Sequence, residues 1–197
     1  MKIYDISQEV FGCKVYPGDP TPQKQQISSM EKGDLYNLTA FSMCAHNGTH
    51  IDAPLHFINE GKGIDKLPLE HLVGMCYVTE FNGEMTKTDA ERIYQSILSQ
   101  NPESSKRLLF KGDAVITESA AEFFITKEIF LIGVESQTVG PENAPMKTHL
   151  LLLGKEIILL EGLRMQSVTN GVYLLNAAPL NLGNSDGAPC RAILIEI

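Results

Sequence analysis

Residues 46–57 read His46-Asn47-Gly48-Thr49-His50-Ile51-Asp52-Ala53-Pro54-Leu55-His56-Phe57, placing three histidines and one aspartate within eleven positions. Imidazole nitrogen and carboxylate oxygen together suit Zn²⁺, Mn²⁺ or Fe²⁺. His46, Gly48, His50, Asp52, Pro54 and His56 share one parity. In an extended chain they would face one side, while Thr49, Ile51, Ala53, Leu55 and Phe57 would face apolar packing on the other. A straight strand rises about 3.3 Å per residue, so His46 and His56 would then lie roughly 33 Å apart, too far to serve one site. The backbone must bend. Asn47-Gly48 is a turn dipeptide, and Ala53 before Pro54 is biased away from helix. The expected structure is a strand that breaks into a bent loop around a cation. The competing reading is a polar loop with chance histidines. Three of the chain's five histidines beside one carboxylate favour the metal.

The rest of the composition narrows the setting. A chain of 197 residues, 43% apolar and 20% charged, fits one domain with a full core. A net charge of −8, with no run of lysine and arginine, argues against a nucleic-acid surface. The start, MKIYDISQEV, has no apolar signal-like region. The apolar runs Leu150 to Leu153 and Ile157 to Leu160 fall far short of the roughly 20 residues that span a bilayer. Cys13, Cys44, Cys76 and Cys190 show no CxxC spacing, which points to reduced thiols and a cytoplasmic setting.

Around the motif the chain alternates strand and helix. Strands are expected at Lys2 to Ser7, Leu35 to Cys44, Gly74 to Phe81, Arg107 to Lys111, Ile129 to Val134 and Ile157 to Leu160. Gly171 to Leu180 and Cys190 to Ile197 read as closing strands, joined by the polar turn Gly183-Asn184-Ser185-Asp186-Gly187. Thr88-Asp89-Ala90-Glu91 and Ser119-Ala120-Ala121-Glu122 read as capping boxes. Thr148 reads as the N-cap of a helix ending at Gly154, and Pro68 opens a short helical turn with His71 a structural residue. Tyr16-Pro17-Gly18-Asp19-Pro20 is a turn by its chemistry. This alternation argues an α/β fold.

The stretch HNGTHIDAPLH resembles the signature HxGTHxDxPxH of the cyclase family of metal-dependent hydrolases, whose best-understood branch is bacterial kynurenine formamidase. The match is complete at His46, Gly48, Thr49, His50, Asp52, Pro54 and His56. The resemblance extends to the proline-glycine-aspartate turn, to Gly133 to Gly140 (GVESQTVG) and to Pro189, Arg191 and Ala192. Two departures stand out. Tyr16 replaces the tryptophan usual in the formamidases, leaving the pocket wall aromatic but smaller, and Glu135 stands where aspartate is more usual.

The resemblance implies a β/β/α swivelling-type fold, with a mixed sheet and covering helices, and a homodimer or higher homo-oligomer. It implies that His46, His50 and Asp52 hold one ion, with Asp52 bridging to a second held also by His149 and Glu161. On their own, His149 reads as a helix-start histidine and Glu161 as a strand-end carboxylate. Zn²⁺ is the expected metal, with Mn²⁺ the alternative, at one or two ions per chain. A divalent metal lowers the pKa of bound water from 15.7 to roughly 7, so hydroxide can attack a carbonyl at neutral pH. His56 is then the general acid/base, or else an orienter of a ligand carboxylate. Tyr16 is expected against the substrate. The function expected is hydrolysis of a small amide, cyclic amide or lactone, as in an arylformamidase. A single-Mn²⁺ enzyme resembling isatin hydrolase and a non-catalytic metal-binding module are the alternatives.

Overall fold

The computed structural model describes residues 1–197. Its strands are β1 (Ile3–Asp5), β2 (Gln23–Ser28), β3 (Leu38–Ser42), β4 (His50–Asp52), β5 (Val73–Glu80), β6 (Gly83–Met85), β7 (Arg107–Lys111), β8 (Ala114–Ile116), β9 (Leu131–Val134), β10 (Ile158–Glu161), β11 (Gly171–Asn176), β12 (Gly187–Pro189) and β13 (Ile193–Ile195). The helices are α1 (Leu69–Leu72), α2 (Lys87–Gln100), α3 (Glu118–Phe124) and α4 (Met146–Leu153). Nine strands form one mixed, curled sheet in the order β1-β13-β11-β5-β7-β9-β10-β4-β12. β5, β7, β9 and β10 run parallel, with α2, α3 and α4 in the crossovers between them. The α/β alternation is as expected. No helix is long and apolar enough to cross a membrane.

Both faces of β7, β9 and β10 are buried, so these strands read as nearly continuous apolar runs. Leu108 and Phe110 of β7, Ile132 and Val134 of β9 and Leu159 of β10 pack towards Ile93, Ile97, Phe124 and Leu152 of the helices. The alternate residues Leu109, Leu131, Ile158 and Leu160 face the other way, onto Val78, Tyr173, Leu175 and Leu194. Each such side chain contributes about 1.5–3 kcal/mol when fully buried. That burial fixes the register of β4. Ile51 pairs with Leu160 and Ala188 and enters the second core, which leaves His50 and Asp52 on the opposite face. A slip of one residue would drive both polar groups into the core.

Several local expectations shift. The capping box of α2 is Thr86 with Asp89, two residues before the expected one: Thr86 Oγ1 accepts from Asp89 N, and Asp89 Oδ2 accepts from Thr86 N, both at 3.2 Å. The overlapping sequence T-K-T-D-A-E offers both registers. Because β6 ends at Met85, the earlier one starts the helix at once. Thr117 rather than Ser119 caps α3 for the same reason, directly after β8. Thr148 lies inside α4, which begins after Pro145, and its buried hydroxyl donates to Ile116 O at 3.1 Å, tying the helix to β8. The strand expected over Leu35 to Cys44 shortens to β3 and pairs with β2 in an exposed hairpin. β2 carries the polar run Gln23 to Gln26 and gives no alternating pattern. β12 starts at Gly187, the last residue of the expected turn, and its Gly-Ala-Pro sequence carries no strand signal. His71 is structural as expected, its ring stacked on Phe130 at 4.2 Å.

Candidate metal centre

β4 sits between β10 and β12, and this pairing gathers the polar groups. His50 lies opposite Glu161 across the β4–β10 ladder, and Asp52 lies opposite Gly187 across β4–β12. α4 brings His149 over the same end of the sheet. Glycines permit the close approach. Gly48 turns the chain at φ +69°, and Gly162, at φ +72°, has no room for a Cβ against the Gly48 carbonyl oxygen. The strict alternation fails after Asp52. Pro54–His56 form a turn of 3-10 helix, so His56 swings back to stack on His46, with ring centroids 4.0 Å apart. Phe57, expected in apolar packing, instead stacks on His149 at 4.7 Å.

The ring nitrogens are sorted by their partners. His50 Nδ1–H donates to Gly48 O at 3.0 Å, and His149 Nδ1–H donates to Pro145 O at 2.8 Å. Both rings therefore direct Nε2 inward. His50 Nε2 is 3.4 Å from Asp52 Oδ1 and 3.5 Å from Glu161 Oε2. His149 Nε2 is 3.3 Å from Glu161 Oε1 and 3.6 Å from Asp52 Oδ2. His46 Nδ1 is 2.9 Å from Asp52 Oδ1. Val139 N–H donates to Glu161 Oε1 at 2.7 Å and holds that carboxylate in place. His50, Asp52, His149 and Glu161 are each at most 3% exposed.

Three groups of three ligand atoms arise: His46/His50/Asp52 and Asp52/His149/Glu161, which have Asp52 in common, and the less buried His46/His56/Asp186. Asp52 Oδ2 is buried and meets no hydrogen-bond donor. A charged oxygen left in that state is costly, and a cation between it and the facing imidazoles removes the cost. The donor set, all nitrogen and oxygen, fits a divalent ion such as Zn²⁺ or Mn²⁺. Without a cation, protons do the same job. Burial pulls the His50 pKa down, but hydrogen bonds to Asp52 and Glu161 outweigh it and raise the value to about 10. Burial is likewise outweighed at His149, chiefly by Glu161, and its pKa is raised to about 9. Asp52, against the cost of its burial, is held well below the usual range by His46 and His50. His56 goes the other way: burial lowers its pKa, which leaves the ring neutral at pH 7.

A cavity of about 230 Å³ opens onto these groups, lined by Tyr16, Phe57, Thr138 and Pro145 beside His46, His50, His56, His149 and Glu161. Tyr16 stands at its wall, where the expected turn places it. Gly18 takes φ +99° at the third position, Asp19 N–H donates to Tyr16 O, and the Tyr16 hydroxyl donates to Glu142 O at 3.0 Å. Glu135 lies outside the cavity. Its carboxylate accepts from Gly112 N and Met165 N and so ties two loops together.

All six expected polar residues, His46, His50, Asp52, His56, His149 and Glu161, converge. One member of the network escaped the sequence reading. Asp186 Oδ2 lies 2.8 Å from His46 Nε2 and 3.2 Å from His56 Nδ1. It was hidden in a turn rich in Gly, Asn and Ser. The only signal was a carboxylate just before the Pro-x-Arg-Ala segment.

The description "Putative cyclase" matches residues 4–141. A protein named kynurenine formamidase from Salinibacter ruber is 32% identical, covering 98% of this chain and 97% of its own length. Another of the same name from Erythrobacter litoralis is 31% identical over 100% of this chain and 94% of its own. A solved structure described as a potential metal-dependent hydrolase with cyclase activity superposes with a TM-score of 0.80 at 31% identity, covering 98% of this chain and 96% of that one. With the complete motif drawn into one buried cluster, the chain belongs to the cyclase family of metal-dependent hydrolases.

Proposed function

We propose that this hydrolase acts on C–N bonds other than peptide bonds, cleaving a small formamide or cyclic amide, with lactones as a related class. The observation that carries the reading is the pair of ligand groups joined at Asp52, whose Oδ2 is buried without a donor beside the cavity. His46, His50 and Asp52 would hold one ion and Asp52, His149 and Glu161 a second, Zn²⁺ being the best match to the donors. Bound there, such an ion supplies Lewis acidity and lowers the pKa of water from 15.7 to roughly 7.

The chain's own residues supply the rest. The cavity admits a substrate of about one ring, with Tyr16 and Phe57 as its aromatic walls. His56, neutral and lining that cavity, takes the proton that the attacking water sheds. It returns the proton to the departing nitrogen as the C–N bond breaks. Burial of the cluster under α4 keeps bulk water from competing for these contacts.

The proposal includes a homodimer in the cytoplasm. Leu35, Tyr36, Leu38 and Phe41 on and beside the β2–β3 hairpin stand exposed and support an interface between copies. The four cysteines are free, in keeping with a reducing compartment. The reading is tested by metal analysis of the purified protein alongside a screen of aryl formamides, lactams and lactones. Stoichiometric metal with turnover of at least one class is expected. Metal-loaded protein inert to all three, and to activated esters, would leave only a binding module.

A further inference from the structure

We propose that Asp186 is a positioning residue that sets the tautomers of His46 and His56 from a single carboxylate oxygen. The inference rests on the proposed role of His56 as proton carrier, but its geometry stands apart from that role. The Gly183–Gly187 turn is fastened to the motif through the backbone. Ala53 N–H donates to Asp186 O at 2.9 Å, and Ile64 N–H donates to Ser185 O at 2.8 Å. Asn184 N–H donates to Asp65 Oδ1 at 2.9 Å, and Ser185 Oγ donates to Gly187 O at 2.7 Å. Gly187 completes the placement, because a Cβ there would lie 2.6 Å from His46 Cε1. The His46 ring thus lies against bare backbone, with Asp186 at its Nε2 edge.

An ionised carboxylate only accepts hydrogen bonds. Asp186 Oδ2, 2.8 Å from His46 Nε2 and 3.2 Å from His56 Nδ1, therefore requires a hydrogen on each of those nitrogens. With Nε2–H committed to Asp186, Nδ1 is the nitrogen that His46 turns to Asp52 Oδ1 at 2.9 Å: without a cation it donates a hydrogen there, and with a cation held at the first group of ligand atoms it would offer its lone pair instead. His56 keeps its Nε2 lone pair for proton transfer. The two rings are stacked at 4.0 Å, so one oxygen fixes both orientations. His50 and His149 use backbone carbonyls for the same task, and Asp186 is the side-chain equivalent for the other two. A carboxylate in this place orients a ring and raises its basicity.

The test uses full-length protein with ¹⁵N-labelled histidine, loaded with Zn²⁺. Wild type should show His56 protonated at Nδ1 and His46 at Nε2. In Asp186→Asn the amide can present N–H to either ring, so His56 should move towards the Nε2–H tautomer. Zn²⁺ affinity by chelator competition should fall about 10–100-fold. At saturating Zn²⁺, kcat should fall about 10²-fold or more while KM stays within about twofold. Asp186→Glu, which restores an acceptor, should recover the wild-type tautomers and most of the lost kcat. Unchanged ring tautomers in Asp186→Asn, or kcat and Zn²⁺ affinity equal to wild type, overturn the inference. If His56→Ala proves to leave kcat intact, the proton-carrier reading fails, yet the tautomer measurement still decides for or against Asp186.

Discussion

Replacing Asp52 by asparagine keeps the side chain's size and removes its charge. The carboxylate faces three imidazoles, 2.9 Å from His46 Nδ1, 3.4 Å from His50 Nε2 and 3.6 Å from His149 Nε2. It is the one residue shared by the His46/His50/Asp52 and Asp52/His149/Glu161 groups of ligand atoms. Two unit charges 4 Å apart interact by about 4 kcal/mol at an effective dielectric of 20, and a ligand oxygen lies closer to a divalent ion than that. At 1.4 kcal/mol per tenfold, the loss corresponds to at least about 10³-fold in affinity. Because Asp52 touches both groups, Asp52→Asn should lose both ions. The assay is equilibrium competition with a chelator, followed by elemental analysis of the protein after dialysis. Circular dichroism serves as the check that the sheet still forms. A folded variant that keeps its metal content and binds within tenfold of wild type would refute the shared-ligand reasoning.

Other outcomes follow from the same geometry. His56→Ala should retain metal, lose about 10²–10⁴-fold in kcat at nearly constant KM, and lose less with an activated aryl ester, whose leaving group departs without a proton. Loss of metal instead would make His56 a ligand. In metal-free protein, folding raises the His50 pKa from 6.5 to about 10 and that of His149 to about 9. Their stabilisation is therefore complete below pH 6.5 and is lost as pH rises through 9 to 10. Calorimetry of chelator-treated protein should show Tm falling between pH 6.5 and 9, and a flat or rising Tm would contradict this. N-formylkynurenine should be a poor substrate, and Tyr16→Trp should improve it. Hydrolysis of that compound by wild type at a kcat/KM on the order of 10⁴ M⁻¹s⁻¹ or more would argue against the smaller pocket wall.

The motif was legible because its spacing is local. His50, Ile51 and Asp52 alternate as strand residues do, and Pro54 ends the strand where the structure ends it. The parallel strands were legible because burial on both faces leaves long apolar runs such as Ile157 to Leu160. What failed was what depends on a pairing partner rather than on a pattern of its own, near in the chain for β2 and far along it for β12 and Asp186. β2 and β12 carry no pattern of their own and become strands only by pairing with β3 and β4. Asp186 joins His46 across 140 positions in sequence, a contact that neither local spacing nor composition encodes. The caps of α2 and α3 lie two residues earlier than expected because β6 and β8, short strands outside the expected set, end directly before Thr86 and Thr117. Phe57 turned towards the cavity because the turn at Pro54–His56 resets the parity of every residue after it.

The central claim is that these residues hold a divalent ion on which hydrolysis depends. It is tested most directly by stripping the protein with a chelator, returning Zn²⁺ or Mn²⁺ in steps, and following hydrolysis of an aryl formamide and a lactam. Activity should be absent from the stripped protein, return in proportion to bound metal, and saturate at no more than two ions per chain. Full activity in the stripped protein, or none in the fully loaded protein, would contradict the account.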